Sequence, residues 1–443
     1  MPTKFYEQMG ISMRDIPSSP FARGLVILLA TVAVHAAALA RSDVPVAKPE
    51  RAGMSAERLN QMTPAMQGVV DQGKYAGVVT LVARHGKVVY FDAVGKQDKE
   101  TGKPMAKDSI FRIYSMTKPI TGVAMMILFE QGKWQLNDPV AKFIPEFKDL
   151  QVYSGAAPDG KAILEPQTHP MTMRELMSHT AGFTYGFFSD TPVDRLQREA
   201  SVLDNDITLE EMIRRLAKLP LNSQPGAQWQ YSVAVDIQGY IVEKLSGMRF
   251  DEFLAQHIFR PLKMVDTGFH VPADKLGRLA QVYNIDKEGK LIVESGGFNR
   301  DYSQHPTFLS GGGGLVSTAT DYYRFCQMLL NGGELDGVRL LSPLTVELMR
   351  SNAIGEHNVG LAGRGTKFGL DFAIYTDPVG AGGYYGEGTY FWGGAAGTWF
   401  WIDPVRDLIV IGMVQHLGST TGVAGVPDLR ALSHSIAYSS IMQ

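Results

Sequence analysis

The 443-residue sequence contains a single cysteine, Cys326. One thiol closes no disulfide within a chain and builds no cysteine zinc site. Cys326 lies in an apolar helical pattern with Tyr322, Phe325 and Leu329, which reads as a small core residue rather than a nucleophile. There is no block of lysine and arginine of the kind that tracks phosphates, and the net charge is only −3, so nucleic acid is not an expected partner. The ten histidines show no metal spacing such as H-E-x-x-H, and there is no P-loop, so no metal and no cofactor are expected. No G-x-S-x-G elbow occurs, which argues against a Ser-His-Asp triad; His85, His179 and His416 read as turn or core residues. Repeats and low-complexity linkers are absent too. What remains, 45% hydrophobic and 20% charged residues, is ordinary for a soluble globular protein.

The first 40 residues read as a targeting segment. Lys4, Arg14 and Arg23 give a basic front, and Gly24 to Leu39 is an apolar run interrupted only by Thr31 and His35. Ala38-Leu39-Ala40 then supplies small residues where a signal peptidase reads, which predicts cleavage after Ala40 and a periplasmic or secreted protein. The run is short for a membrane span, so a retained anchor is the alternative and no stable membrane association is expected after cleavage. Removal takes away three positive and two negative charges and leaves a net −4.

Downstream, Ser55 to Gln72 has helical apolar spacing. Gly77 to Ala83 and Val88 to Val94 read as strands around an Arg84-His85-Gly86-Lys87 turn. Phe111 to Tyr114 is a short extended piece, and from Ser115 to Gly132 a helix is predicted that is apolar on nearly every face and therefore buried. The middle reads as helical and loop-rich, with helices opening at Thr208 and Ser232. A glycine run, Gly311 to Gly314, reads as a structural turn before a helix over Thr320 to Leu330. Strands return at Phe368 to Tyr375, Thr389 to Trp392, Thr398 to Ile402 and Leu408 to Val414, followed by a terminal helix. This order predicts one α/β (α+β) hydrolase domain over 41–443. An antiparallel sheet flanked by helices is built from about 50–114 and 310–443. A mostly helical subdomain is inserted over about 115–309, with a cleft where the two meet.

The chemistry is carried by Ser115-Met116-Thr117-Lys118, the one S-x-x-K in the chain. At spacing i, i+3 the hydroxyl and the amine share a helix face. The helix start favours developing negative charge. A lysine beside a buried helix is desolvated, which lowers its pKa and lets it act as a base. Tyr231, after Pro225-Gly226 and at the head of a helix, is the candidate for accepting and returning the serine proton, as a phenolate stabilised by the lysine charge; Tyr185 and Tyr240 compete with it. Trp392-Gly393-Gly394-Ala395-Ala396-Gly397-Thr398 puts glycines in a strand, which permits close approach of a substrate. The Ala395 N–H would complete an oxyanion hole with that of Ser115. The loop Phe183-Thr184-Tyr185-Gly186-Phe187-Phe188 is a candidate wall for an acyl pocket, with Phe183 and Tyr185 as substrate-binding residues beside Trp392, Gly393 and Gly394.

Together with Leu176-Met177-Ser178-His179-Thr180-Ala181-Gly182, Tyr231-Ser232-Val233, Pro261-Leu262-Lys263-Met264 and Thr267-Gly268-Phe269, these motifs resemble the class C β-lactamase and penicillin-binding superfamily, and most closely its family VIII carboxylesterase branch. The resemblance covers nearly the whole mature chain. It implies a β-lactamase-like fold, Ser115 as nucleophile, and Lys118 with Tyr231 as the base pair. Val233 stands where class C β-lactamases carry Asn, and Trp392-Gly393-Gly394 where they carry Lys-Thr-Gly. The resemblance therefore implies hydrolysis of short-chain acyl esters of small molecules, with weak β-lactam cleavage at most. Alternatives on the same fold are a β-lactamase, a D-amino peptidase or an acyltransferase, and further off a non-catalytic penicillin-binding sensor.

Overall fold

A computed structural model describes residues 44–158, 162–297, 299–420 and 426–443, and residues 46–443 form one unit. The export segment over 1–40 lies outside the described residues. No described helix is long and apolar enough to cross a membrane.

Numbered in chain order, the elements that build the sheet and the site begin with helix α1 (Met62–Asp71) and strands β1 (Gly77–Arg84), β2 (Lys87–Asp98) and β3 (Lys103–Pro104). There follow β4 (Phe111–Arg112), helices α2 (Thr117–Glu130) and α3 (Ala234–Ser246), β5 (Val316–Ser317) and α4 (Ala319–Leu330). Strands β6 (Thr366–Phe368), β7 (Ala373–Tyr375), β8 (Tyr390–Gly393), β9 (Trp399–Asp403) and β10 (Leu408–Met413) come next, and α5 (Leu429–Ser439) closes the series.

The eight-stranded sheet runs β6-β7-β8-β9-β10-β1-β2-β3, antiparallel throughout. β1 lies inside it, and all eight of its residues are buried, which is why GVVTLVAR reads as a continuous apolar run instead of alternating. Helices cover both faces. Successive residues of β9 show the division: Phe400 meets Tyr322 of α4, while Trp401 meets Tyr438 of α5. The sheet thus joins residues 77–104 to residues 366–413, and the long intervening chain carries α2 and α3 packed on each other.

Two elements differ from the sequence expectation. Phe368 to Tyr375 is not one strand but two, β6 and β7, because Gly369 N–H donates to the Phe372 carbonyl and Asp371 takes a left-handed φ of 65°. The turn residues Leu370 and Phe372 are themselves buried, so the apolar pattern runs on through it. Ser55 to Gln72 is likewise two helices, Ala56–Leu59 and α1. The middle segment also contains hairpins, Gln151–Ala156 with Ala162–Pro166 and Tyr283–Ile285 with Leu291–Val293.

Candidate active site

β4 pairs with β5, and the chain then turns sharply. Tyr114 adopts φ 40°, a left-handed conformation that a bulky residue rarely takes. The turn Tyr114–Met116 leads straight into α2 and leaves Ser115 half-buried at its start. The turn is held by the Tyr322 phenol, which donates to the Met116 carbonyl at 2.9 Å.

Lys118, one helical turn on, is fully buried. Its Nζ lies 3.1 Å from Ser115 Oγ, 3.0 Å from Tyr185 Oη and 2.6 Å from the Gly312 carbonyl oxygen. Burial pulls the amine pKa down from 10.5 to about 7, against the opposing pull of Asp236 and Asp371. The amine is therefore within reach of its neutral form at ordinary pH.

The glycine run is what lets the third contact form. A Cβ on Gly312 would lie 2.5 Å from Tyr185 Oη and 2.6 Å from Asp236 Oδ2, so only glycine brings this carbonyl to the lysine. Asp236, on α3, fixes the loop: its Oδ1 accepts from Ser310 Oγ at 2.5 Å and from the Gly312 N–H at 2.9 Å. Burial raises the Asp236 pKa, and the Ser310 hydrogen bond, the Lys118 charge and the Gly312 N–H hold it back.

Tyr231 is buried, hydrogen-bonded to Ser115, and receives the Trp392 indole N–H at 3.1 Å. The phenolate expected from a neighbouring lysine charge does not follow. Burial drives the phenol pKa upward, and Lys118 Nζ sits over the ring, 4.5 Å from its centroid, rather than beside the oxygen. The phenol oxygen that Lys118 does touch is that of Tyr185, whose pKa burial also raises. Tyr240 lines neither of the two cavities that meet at Ser115.

Those cavities have volumes of about 180 Å³ and about 440 Å³ and share Ser115, Phe188, Tyr231 and Ala395. Tyr185, Phe187 and Phe308 line the smaller; Trp392, Gly393 and Gly394 line the larger. A Cβ on Gly394 would collide with Thr398 Oγ1 and the Ile113 carbonyl, so glycine is what lets the end of β8 close on the segment that carries Ser115. Ala395 follows in the turn, beside Ser115 in both cavities. Phe183, expected in the pocket wall, is not there. It is buried against Phe147, with ring centroids 5.5 Å apart, because the loop turns Phe183 inward and leaves Phe187 and Phe188 about half exposed over the cleft. Apart from Phe183 and the competing candidate Tyr240, the structure gathers the residues expected in chemistry or binding around the cavities or onto Ser115.

The residues that motif reading missed are Asp236 and the Gly312 carbonyl. Asp236 had a legible signal, a lone acid in an apolar helical stretch five residues after Tyr231. The carbonyl had none, because backbone atoms leave no letter in a sequence. Among the remaining residues, Cys326 is buried with its thiol pKa pushed up, and His85 occupies a turn at φ 52°. No group of histidine, cysteine and acidic residues suited to a metal occurs among the described residues.

The Beta-lactamase family model matches residues 62–434. An uncharacterised protein of Mycobacterium tuberculosis is 37% identical over 389 residues, covering 83% of this chain and 94% of that protein. Esterase EstB of Burkholderia gladioli is 31% identical over 369 residues, covering 78% and 88%. Among solved structures, EstCE1, described as a hydrolase with promiscuous acyltransferase activity, superposes with a TM-score of 0.72 at 28% identity, covering 87% of this chain and 99% of that one.

Proposed function

We propose that this chain, which belongs to the β-lactamase family of serine hydrolases, cleaves short-chain acyl esters of small molecules through an acyl-enzyme on Ser115. The observation that carries the reading is a fully buried lysine amine, lowered to about 7, 3.1 Å from a serine hydroxyl at the mouth of two cavities. The neutral amine takes the Ser115 proton as Oγ attacks the ester carbonyl. The carbonyl oxygen gathers negative charge against the backbone N–H groups of Ser115 and Ala395. As the carbon–oxygen bond to the alcohol breaks, a proton reaches the leaving oxygen through the Tyr231 phenol, which stays neutral and acts as a shuttle. Water then attacks the acyl carbon, gives its proton to the same pair, and Ser115 regains its own when the acyl bond breaks. Trp392, through its indole N–H, holds the Tyr231 oxygen in place.

The likeness to Esterase EstB supports an ester over a lactam substrate. The test is Ser115→Ala assayed with p-nitrophenyl acetate and a chromogenic cephalosporin. Wild type should turn over the ester far faster than the cephalosporin, and the variant should lose ester turnover by about a thousandfold or more. Ester turnover surviving in the purified variant would retire the assignment. The description of EstCE1 favours a second reading, transfer of the acyl group to an alcohol. An added alcohol captured in place of water in the same assay would identify it.

A further inference from the structure

The two cavities share four residues, and the mechanism above uses three of them, Ser115, Tyr231 and Ala395. The fourth is Phe188. Its ring is about half exposed where the cavities meet, with its centroid 5.3 Å from that of Tyr231 and 5.6 Å from that of Tyr185.

Phe187 and Phe188 are the two residues between Gly186 and Ser189, and both flanking residues are tied to one carboxylate. Asp194, on the helix Pro192–Glu199, is fully buried. Its Oδ1 accepts from Thr184 Oγ1 at 2.5 Å and from the Gly186 N–H at 3.1 Å. Its Oδ2 accepts from Ser189 Oγ at 2.6 Å, and from the Thr191 N–H and hydroxyl at 2.9 and 2.8 Å. The Thr191 contacts belong to the capping box that starts the helix. The other three have no part in the helix; they gather the loop from Thr184 to Ser189 around the carboxylate. Burial alone would raise the Asp194 pKa. The hydrogen bonds from Ser189, Thr184 and Thr191 outweigh it and hold the pKa at about 2, so the group is charged at every working pH. Arg198, one turn further along the same helix, donates to the Gly186 carbonyl and to the Asp190 carboxylate. Gly186 is thereby held at both its N–H and its carbonyl, in a left-handed conformation with φ 82° that suits glycine.

We infer that Phe188 is the partition that limits the acyl chain this enzyme accepts, and that Asp194 is the positioning residue that keeps it in place. The inference rests on the esterase reading of Ser115 and narrows its substrate range. Phe188 bounds both cavities, so the acyl chain meets the ring whichever of them it enters. An asparagine at 194 has a single side-chain oxygen. Turned to the capping box, it sets its amide against the Gly186 N–H, donor against donor, and the loop is released beside Phe187 and Phe188.

The quantity read is the ratio of kcat/KM for p-nitrophenyl hexanoate to that for p-nitrophenyl acetate within one protein. The leaving group is common to both, and any loss of folded enzyme cancels. Wild type should favour acetate. Phe188→Ala should raise the ratio about tenfold, the low end of what shape discrimination in an apolar pocket gives. Asp194→Asn should raise it in the same sense by about threefold. The double variant should show no more than Phe188→Ala alone, because the carboxylate acts only through the ring it places. Ser189→Ala removes one hydrogen bond from an exposed part of the loop and should move the ratio the same way by about twofold. It carries the test should Asp194→Asn not fold. A wild-type ratio near or above one, or a ratio that Phe188→Ala leaves unmoved, overturns the partition. A ratio that moves in Phe188→Ala but in neither Asp194→Asn nor Ser189→Ala overturns the role of Asp194, as does an Asp194→Asn shift that persists undiminished in the Phe188→Ala background. None of these outcomes touches the esterase reading, which falls only if ester turnover survives in Ser115→Ala.

Discussion

A lysine with no exposure to solvent holds its proton only as tightly as its neighbours allow. For Lys118 the balance is between burial, which favours the neutral amine, and the negative charge of Asp236 and Asp371, which favours the ammonium. A protonated Lys118 has no lone pair for the serine proton. On this reading kcat/KM rises with pH through about 7 and then levels off. Asp236→Asn removes one of the charges that stabilise the ammonium. The amine pKa should then fall further, and the acid limb of the profile should move to lower pH by up to about one unit. The plateau should drop as well, because the Ser310 hydroxyl and the Gly312 N–H lose a charged acceptor and the carbonyl that holds Lys118 is less firmly placed. Asp236 is thus a positioning residue. A pH–rate profile of the variant with an unmoved acid limb and a lower plateau alone would reduce Asp236 to a packing role.

At the scale of the strand, the sheet depends on where side chains are missing. Gly412 of β10 faces Trp399 of β9 across the ladder, and a Cβ at 412 would overlap the indole ring. Gly412→Ala should therefore cost about 1–3 kcal/mol through overpacking, seen as a lower urea midpoint with an unchanged slope; an unaltered midpoint would show that the indole yields freely. The same contrast explains what could be read in advance. β1 and β2 were legible because valine-rich runs flank a His85-Gly86 turn, and Ser115 with Lys118 because their relation is local, three residues along one helix. The hairpin Gln151–Ala156 with Ala162–Pro166 was not, since its second strand is exposed along its length and carries no buried stripe. Phe183 and Phe187 look alike as letters, and only the packing against Phe147 separates them. Asp236 and the Gly312 carbonyl come to Lys118 from far along the chain, and their convergence is a property of the packed fold rather than of any motif.

For the molecule as a whole, β1 stands between β2 and β10, so the fold closes only when the last strand returns to the first. Arg84, at the end of β1, secures that closure. Its buried guanidinium donates to the Ala52 and Gly53 carbonyls at 2.9 and 3.1 Å, to the Gln443 main-chain oxygen at 2.6 Å, and through Nε to the Arg406 carbonyl at 3.1 Å. Backbone bonds run beside it, Ser55 N–H to Ser440 and Met442 N–H to Gly53. One side chain thus satisfies carbonyls from the segment before α1, the β9–β10 turn and the segment after α5. Burial lowers the Arg84 pKa, yet a guanidinium stays charged throughout the working pH range, so its loss cannot be softened by deprotonation. Arg84→Met keeps much of the volume and removes the donor from the Ala52 and Arg406 carbonyls and the Gln443 main-chain oxygen, while the Gly53 carbonyl keeps the Met442 N–H. Hydrogen bonds to a charged group contribute about 1.5–3 kcal/mol, and stranding the buried Ala52 carbonyl adds to the cost, so a loss of about 3 kcal/mol or more is expected. Arg84 lines neither cavity, and the folded variant should hydrolyse p-nitrophenyl acetate at the wild-type rate per folded molecule in the cold. A lower urea midpoint with that rate preserved separates closure of the fold from the chemistry it frames; a wild-type midpoint would mean that strand pairing alone holds the two ends together.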